Sequence, residues 1–174
     1  VGQAAVSCGK VEIEPAETVR KVVTTERELQ YFAIAKEQFA ASALAKSTIW
    51  DGATRKEVPI EVGYKDTTAY FAIYLNKPGA WAMRVSAEGR TPWVGFNVKR
   101  EVGLPLVPPN VMVLEPCAFA DFRVAVSSPD DLHALHRLVY ASFVQTVEER
   151  RPRQESADPA APQAALAQPP TGQG

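Results

Sequence analysis

The stretch TTAYFAIYLNKPGAWAMRVSAE, residues 67–88, decides the fold. It contains two runs, 67–75 and 80–88, that are rich in the aromatic and β-branched residues typical of strands. Between them, NKPGA (76–80) carries the Asn, Pro and Gly of a tight turn. Trp81, Met83 and Val85 alternate with small or polar residues, which indicates one buried and one solvated face. The stretch therefore predicts an antiparallel hairpin.

Similar runs continue on both sides of this hairpin. The predicted additional strands cover 57–64, 92–100, 111–116 and 119–126, and the first strands are expected at 11–15 and 19–24. Residues 87–92 predict another turn, and 102–110, with three prolines, predict an irregular crossing or an edge. Consecutive strands joined by short turns favour an antiparallel sheet.

A first helix is predicted over 25–47, where Thr25 and Glu28 form a capping-box pattern. Within it, LQYFAIA (29–35) also fits a strand, so that alternative stays open. The predicted apolar stripe of the helix comprises Leu29, Phe32, Ala33, Lys36, Phe39, Ala40 and Ala43.

A second helix is predicted from Pro129 to about Arg150, with Ser128 as its cap. Its apolar residues recur at three- and four-residue spacing, so they form one face that must dock on the sheet. They are Leu132, Leu135, Val139, Phe143 and Val147.

The order of elements predicts an α+β fold: mainly an antiparallel β sandwich or curled sheet with one or two packed helices, including the C-terminal amphipathic helix. We expect a single β-rich globular domain over residues 1–151. Residues 152–174 form a Pro/Ala/Gln-rich segment whose only large aliphatic residue is Leu166, so we expect a disordered tail.

The composition points away from some partners. The net charge of −1 provides no overall basic field, so we expect no nucleic acid partner. No apolar run approaches the roughly 20 residues that span a bilayer, so no transmembrane segment is expected.

The two cysteines, Cys8 and Cys117, bear on the cellular compartment. The chain starts with Val, so we expect that a leader was removed or that a longer protein precedes it. An even cysteine count in such a chain favours a Cys8–Cys117 disulfide and a periplasmic or extracellular location. Two reduced thiols in the cytoplasm are the alternative. AAVSCGK (4–10) also resembles the end of a bacterial lipoprotein signal, which would imply an envelope anchor.

Few residues suggest chemistry. His133 and His136, three apart on the second helix, are metal candidates but lack further ligands at zinc spacing. Cys117 is a nucleophile candidate with no activating charge beside it, and its apolar neighbours predict burial. We therefore assign no catalytic residue, no metal and no cofactor.

Aromatic residues concentrate in the β region, where they form either core or an exposed binding platform. They are Trp50, Trp81, Trp93, Tyr64, Tyr70, Tyr74 and Phe96.

These observations favour a non-enzymatic extracytoplasmic module that binds a protein partner or assembles into a larger cell-envelope or surface complex. Two alternatives stay open: a small metal-dependent or thiol hydrolase that uses His133, His136 and Cys117, and a structural subunit of a virion or other particle.

Thiol counting tests the predicted disulfide. A Cys8–Cys117 bridge closes a loop of about a hundred residues, which stabilises the fold by roughly 4–5 kcal/mol in the chain-entropy model. Denatured protein from an oxidising compartment should show no reactive thiol before reduction and two after it. Two reactive thiols before reduction would exclude the bridge.

Overall fold

The computed structural model describes residues 22–152. Its eight strands in this range are β1 (Thr48–Asp51), β2 (Lys56–Pro59), β3 (Val62–Asp66), β4 (Phe71–Leu75), β5 (Trp81–Ser86), β6 (Trp93–Phe96), β7 (Val113–Leu114) and β8 (Arg123–Ala125). Its α-helices are α1 (Glu26–Ala40), α2 (Arg100–Gly103), α3 (Asp131–Ala134) and α4 (His136–Arg150). Strands β1 and β2 form a hairpin, and the others form an antiparallel sheet of order β3-β4-β5-β6-β8-β7. The predicted α+β class, a curled antiparallel sheet with packed helices, is confirmed.

The hairpin predicted over 67–88 is β4 and β5, joined by the predicted turn. Asn76 adopts a left-handed φ of 64°, which Asn tolerates better than most residues. Its side chain accepts a hydrogen bond from the Glu61 N–H at 2.9 Å and donates one to the Pro59 carbonyl at 3.0 Å. The turn therefore also anchors the chain that links β2 to β3.

The inner face of the sheet forms the main core. Phe71 pairs with Val85, Val85 with Val94, and Val94 with Val124, so four apolar side chains lie in one row across four strands. A second row contains Ile73, Met83 and Phe96. All seven side chains are buried, and helices α1 and α4 contribute to the same core.

A register irregularity between Ile73 and Tyr74 changes the position of Trp81. Trp81 pairs with Tyr74 and packs against Arg84, on the outer face of the sheet. The expectation that Trp81 shares a face with Met83 and Val85 is therefore wrong. The physical reason is the extra residue of a bulge, which inverts the alternation beyond it.

The outer face is also largely covered, contrary to the prediction of a solvated face. Ser86 and Trp93 have no exposed surface, and Arg123 is 5% exposed. Residues 115–121 cross this face, where a Cβ atom at Gly95 would lie only 2.4 Å from the Ala120 Cβ. Glycine at position 95 thus allows the crossing segment to approach the sheet.

Helix α1 begins at the predicted capping box. The Thr25 hydroxyl accepts from the Glu28 N–H at 3.1 Å, and the Glu28 carboxylate accepts from the Thr25 N–H at 3.0 Å. The helix ends at Ala40 rather than at 47, because Ser42 caps a separate 3-10 helix, Ala43–Lys46, through the Leu44 N–H.

The buried face of α1 differs from the predicted stripe. It comprises Glu28, Tyr31, Ala35 and Phe39, whereas Leu29 is 40% exposed. Of the predicted stripe, only Phe39 is fully buried, so the helix is rotated by about one residue from the prediction. The periodicity of the sequence predicts an amphipathic helix here, but it does not determine which side of the helix packs against the core.

The C-terminal helix docks as predicted, through Leu132, Leu135, Val139, Phe143 and Val147, all of which are buried. It is split at Leu135 into α3 and α4, which differs from the single helix expected. Ser128 does not cap it, because the Asp131 carboxylate accepts from the Ser127 and Ser128 N–H groups instead.

Several strand boundaries differ from the predictions. The single strand expected over 57–64 is divided between β2 and β3, and β1 was not predicted. Residues 102–110, predicted as an irregular crossing or an edge, contain the end of α2 and a 3-10 helix, Leu104–Leu106. Residues 22–24 form no strand, whereas 11–15 and 19–21 lie outside the described residues.

Truncation of Phe143 tests the docking of α4. Its ring contacts Phe39 edge to face at 5.4 Å, and it is 1% exposed. We expect Phe143→Ala to lower the free energy of unfolding by about 2–5 kcal/mol, as large-to-small core changes do. Tyr140→Ala, on the exposed side of the same helix, should cost less than about 1 kcal/mol. Urea denaturation measures both, and equal losses would contradict this packing.

Candidate functional site

The two histidines lie on the surface at the junction of α3 and α4. His136 Nδ1 is 3.1 Å from the His133 carbonyl oxygen, so this imidazole contacts backbone rather than the other ring. Within residues 22–152, no group of three His, Cys, Asp or Glu side chains is arranged to hold a metal ion. In this part of the chain, the fold therefore brings no further metal ligand to His133 and His136.

Cys117 lies in the segment that crosses the outer face of the sheet. It is half-buried rather than fully buried, in a tight turn where the Phe119 N–H is 3.5 Å from its sulfur. Cys8 lies outside the described residues, so the disulfide stays a prediction. His133 and His136 belong to helices that join the core on the inner face, so the sheet does not bring them into a dyad with Cys117.

The aromatic residues divide between core and partly exposed positions. Trp93 and Phe96 are buried, whereas Tyr70 and Trp81 sandwich Arg84, whose guanidinium carbon is 4.6 Å and 4.1 Å from their ring centroids. Arg84 also donates to the Phe119 carbonyl at 2.8 Å. Burial lowers the pKa of Arg84. The exposed faces of Tyr70 and Trp81 that could bind a ligand are therefore used by Arg84. Through the Phe119 carbonyl, Arg84 also attaches the crossing segment to the sheet.

An exposed apolar feature in the described range surrounds Tyr140 on α4. Tyr140 is 41% exposed, and it forms a ridge with a groove along each side. We call this ridge and its two grooves the Tyr140 surface. His136 lies at one end of the ridge and lines both grooves.

Groove 1 separates α4 from the chain that follows β6 and has a volume of about 450 Å³. It is lined by Val98, Val102, Leu106, His136, Arg137, Tyr140, Ala141, Val144 and Gln145. On the wall opposite α4, Val102 is 47% exposed. Groove 1 thus has apolar walls with polar groups along the α4 side.

Groove 2 separates α4 from the C-terminal end of α1 and has a volume of about 430 Å³. It is lined by Gln38, Ala41, Ser42, Ala43, His136, Val139, Tyr140 and Phe143. Its floor includes Phe143, one of the residues that dock α4 on the sheet, so the groove is supported by the core.

Sequence reasoning missed this surface although a signal was present. Tyr140, Ala141 and Val144 lie outside the stripe predicted to dock α4, so the helix is apolar over more than one face. A helix of this kind buries more than one side or offers one of them to a partner.

A smaller cavity of about 150 Å³ lies beneath the β1–β2 hairpin, with Trp50, Asp51, Lys77 and Arg150 among its lining residues. Its Asp51 carboxylate already has partners, because Lys77 Nζ is 2.7 Å from it and the Thr54 hydroxyl donates to it. These hydrogen bonds hold the pKa of Asp51 well below its usual range. The Tyr140 surface is therefore the stronger candidate for binding.

No protein-family model, curated protein or solved structure matches the chain. Across residues 22–152, no helix has the length and apolar character that crossing a membrane requires.

A double substitution, His133→Gln with His136→Gln, tests the metal candidates. Both side chains are exposed, so the melting temperature should stay within about two degrees of the parent, as for most surface changes. Zinc should raise the melting temperature of neither protein. If zinc stabilises the parent but not the variant, the histidines bind metal and the prediction is wrong.

Proposed function

We propose that this protein is a non-enzymatic extracytoplasmic module that binds a protein partner, or assembles into a cell-envelope or surface complex, through the Tyr140 surface. The observation that carries the proposal is the exposed tyrosine ridge between two apolar grooves. Contiguous exposed apolar surface with a polar rim is typical of protein interaction sites.

The chemistry of the ridge suits a protein interface. Tyrosine provides a large, stiff contact area and a hydroxyl for hydrogen bonding, and it is enriched among the residues that dominate binding energy. Arg137 and Gln145 line groove 1 together with Ala141 and Val144, so polar groups are available around an apolar centre. A partner that buries this centre would release water from Tyr140 and Val102 together.

The rigid support of the ridge favours binding without rearrangement. Helix α4 is anchored by Val139, Phe143 and Val147 in the core, and the Thr146 hydroxyl accepts from the Asn97 side chain at 3.1 Å. The entropic cost of ordering side chains on binding is smaller for a preformed surface than for a mobile one.

The proposed location outside the cytoplasm rests on the sequence. Its basis is the expected Cys8–Cys117 bridge, which forms and persists in oxidising compartments. The lipoprotein-like stretch at residues 4–10 and the tether-like composition of residues 152–174 point in the same direction.

Site-specific photo-crosslinking tests the proposal. Tyr140 is replaced by p-benzoylphenylalanine, which keeps an aromatic ring on the ridge, and the variant is irradiated in the cells that naturally make the chain. Tyr64 is a matched control, because it is 39% exposed but lies on β3, away from α4. We expect a protein adduct from position 140 and none from position 64.

The result is informative only if both variants fold, which circular dichroism and the melting temperature establish. Adducts of equal yield at both positions would indicate random encounters and would contradict the proposal. No adduct at position 140 from a folded variant would contradict it as well.

A further inference from the structure

A single stripe of α4 faces groove 1 and carries opposite charges at its two ends. It comprises Arg137, Ala141, Val144 and Glu148, which are spaced by four, three and four residues and so lie on one side of the helix. The first three line groove 1, and Glu148 is exposed one turn further along. Tyr140 and Gln145 flank the stripe on either side.

The stripe can pair with an antiparallel copy of itself, because its two ends carry opposite charges. If two α4 helices lie antiparallel about a two-fold axis between positions 142 and 143, each Arg137 meets Glu148 of the other copy. Each Ala141 then meets a Val144 near the centre of the contact. A parallel arrangement would instead place Arg137 beside Arg137. The stripe therefore matches a second copy in one orientation only, as two-fold interfaces require.

The charges of the stripe are reversed relative to what α4 itself prefers. Arg137 lies in the first turn and Glu148 in the last turn, whereas the helix dipole favours an acid at the start and a base at the end. The helix dipole thus does not explain their placement, whereas pairing with an antiparallel helix does. Glu148 contacts Arg151 at 3.1 Å in a highly exposed ion pair, which is weak and easily exchanged for an intermolecular one.

We infer that groove 1 is occupied by a second copy of this chain, with the two α4 helices packed antiparallel through Arg137–Glu148 pairs. The inference rests on the proposed function, since it names the partner of the Tyr140 surface. Ala141 is small enough for the helix axes to approach to the usual 8–10 Å. Val102 extends the contact beyond α4, whose 15 residues span only about 22 Å.

Charge reversal tests this arrangement. In a two-fold dimer, Arg137→Glu or Glu148→Arg alone creates two like-charge contacts and should raise the dimer Kd about tenfold or more. The double variant Arg137→Glu with Glu148→Arg restores both pairs and should return the Kd to within about threefold of the parent. Arg90→Glu, the same charge change in the turn before β6, should leave the Kd unchanged.

Sedimentation equilibrium of the full chain, at low salt and over a concentration series, measures these constants. Each substitution at 137 or 148 also places its new charge where the α4 dipole favours it, so weaker dimerisation would not reflect a damaged helix. A parent that stays monomeric at about 100 µM, or a double variant no tighter than the single ones, would overturn the inference.

The crosslinking at position 140 separates this inference from the proposed function. An adduct of twice the mass of the chain supports both. If the adduct contains only a different protein and the parent is monomeric, the inference of a second copy is wrong, but the proposed protein-binding function still holds. A crosslink from position 140 to residues 153–174 of the same chain also overturns it. No adduct and a monomeric parent contradict both.

Discussion

The burial of one face of α4 against the inner face of the sheet is the contact on which the rest of this structure depends. Val139, Phe143 and Val147 complete the core that Phe71, Met83 and their row partners begin, and they also bring α1 into place through Phe39. Because this face is fully engaged, the opposite side of α4 is held rigidly toward solvent. Core packing thus determines where the Tyr140 surface lies and which residues form it.

On the outer face of the sheet, polar and aromatic side chains make intramolecular contacts that stabilise the fold. Arg84 is held between two rings and the Phe119 carbonyl, and Arg123 stacks over Trp93 while donating to the Glu115 carbonyl at 2.7 Å. Buried guanidinium groups need such partners because an unpaired buried charge is costly. These contacts fasten residues 115–121, and with them Cys117, against the sheet.

The Tyr140 surface has the opposite character, because its features are not explained by intramolecular stability. Exposed Val102 and Tyr140 gain nothing from contact with water. The charges of Arg137 and Glu148 oppose the dipole of their own helix. Features that lower or do not improve the stability of the isolated chain are understandable if they act in a complex.

The sequence alone determined the β4–β5 hairpin, the capping box at Thr25 and the docking stripe of α4, because each depends on residues close together in the chain. It did not reveal the bulge that turns Trp81 outward, the rotation of α1 toward Tyr31 and Ala35, or the ridge at Tyr140. Those were decided by tertiary structure. Periodicity shows that a helix has apolar residues, but only the elements packed around it decide which of them are buried and which remain for a partner.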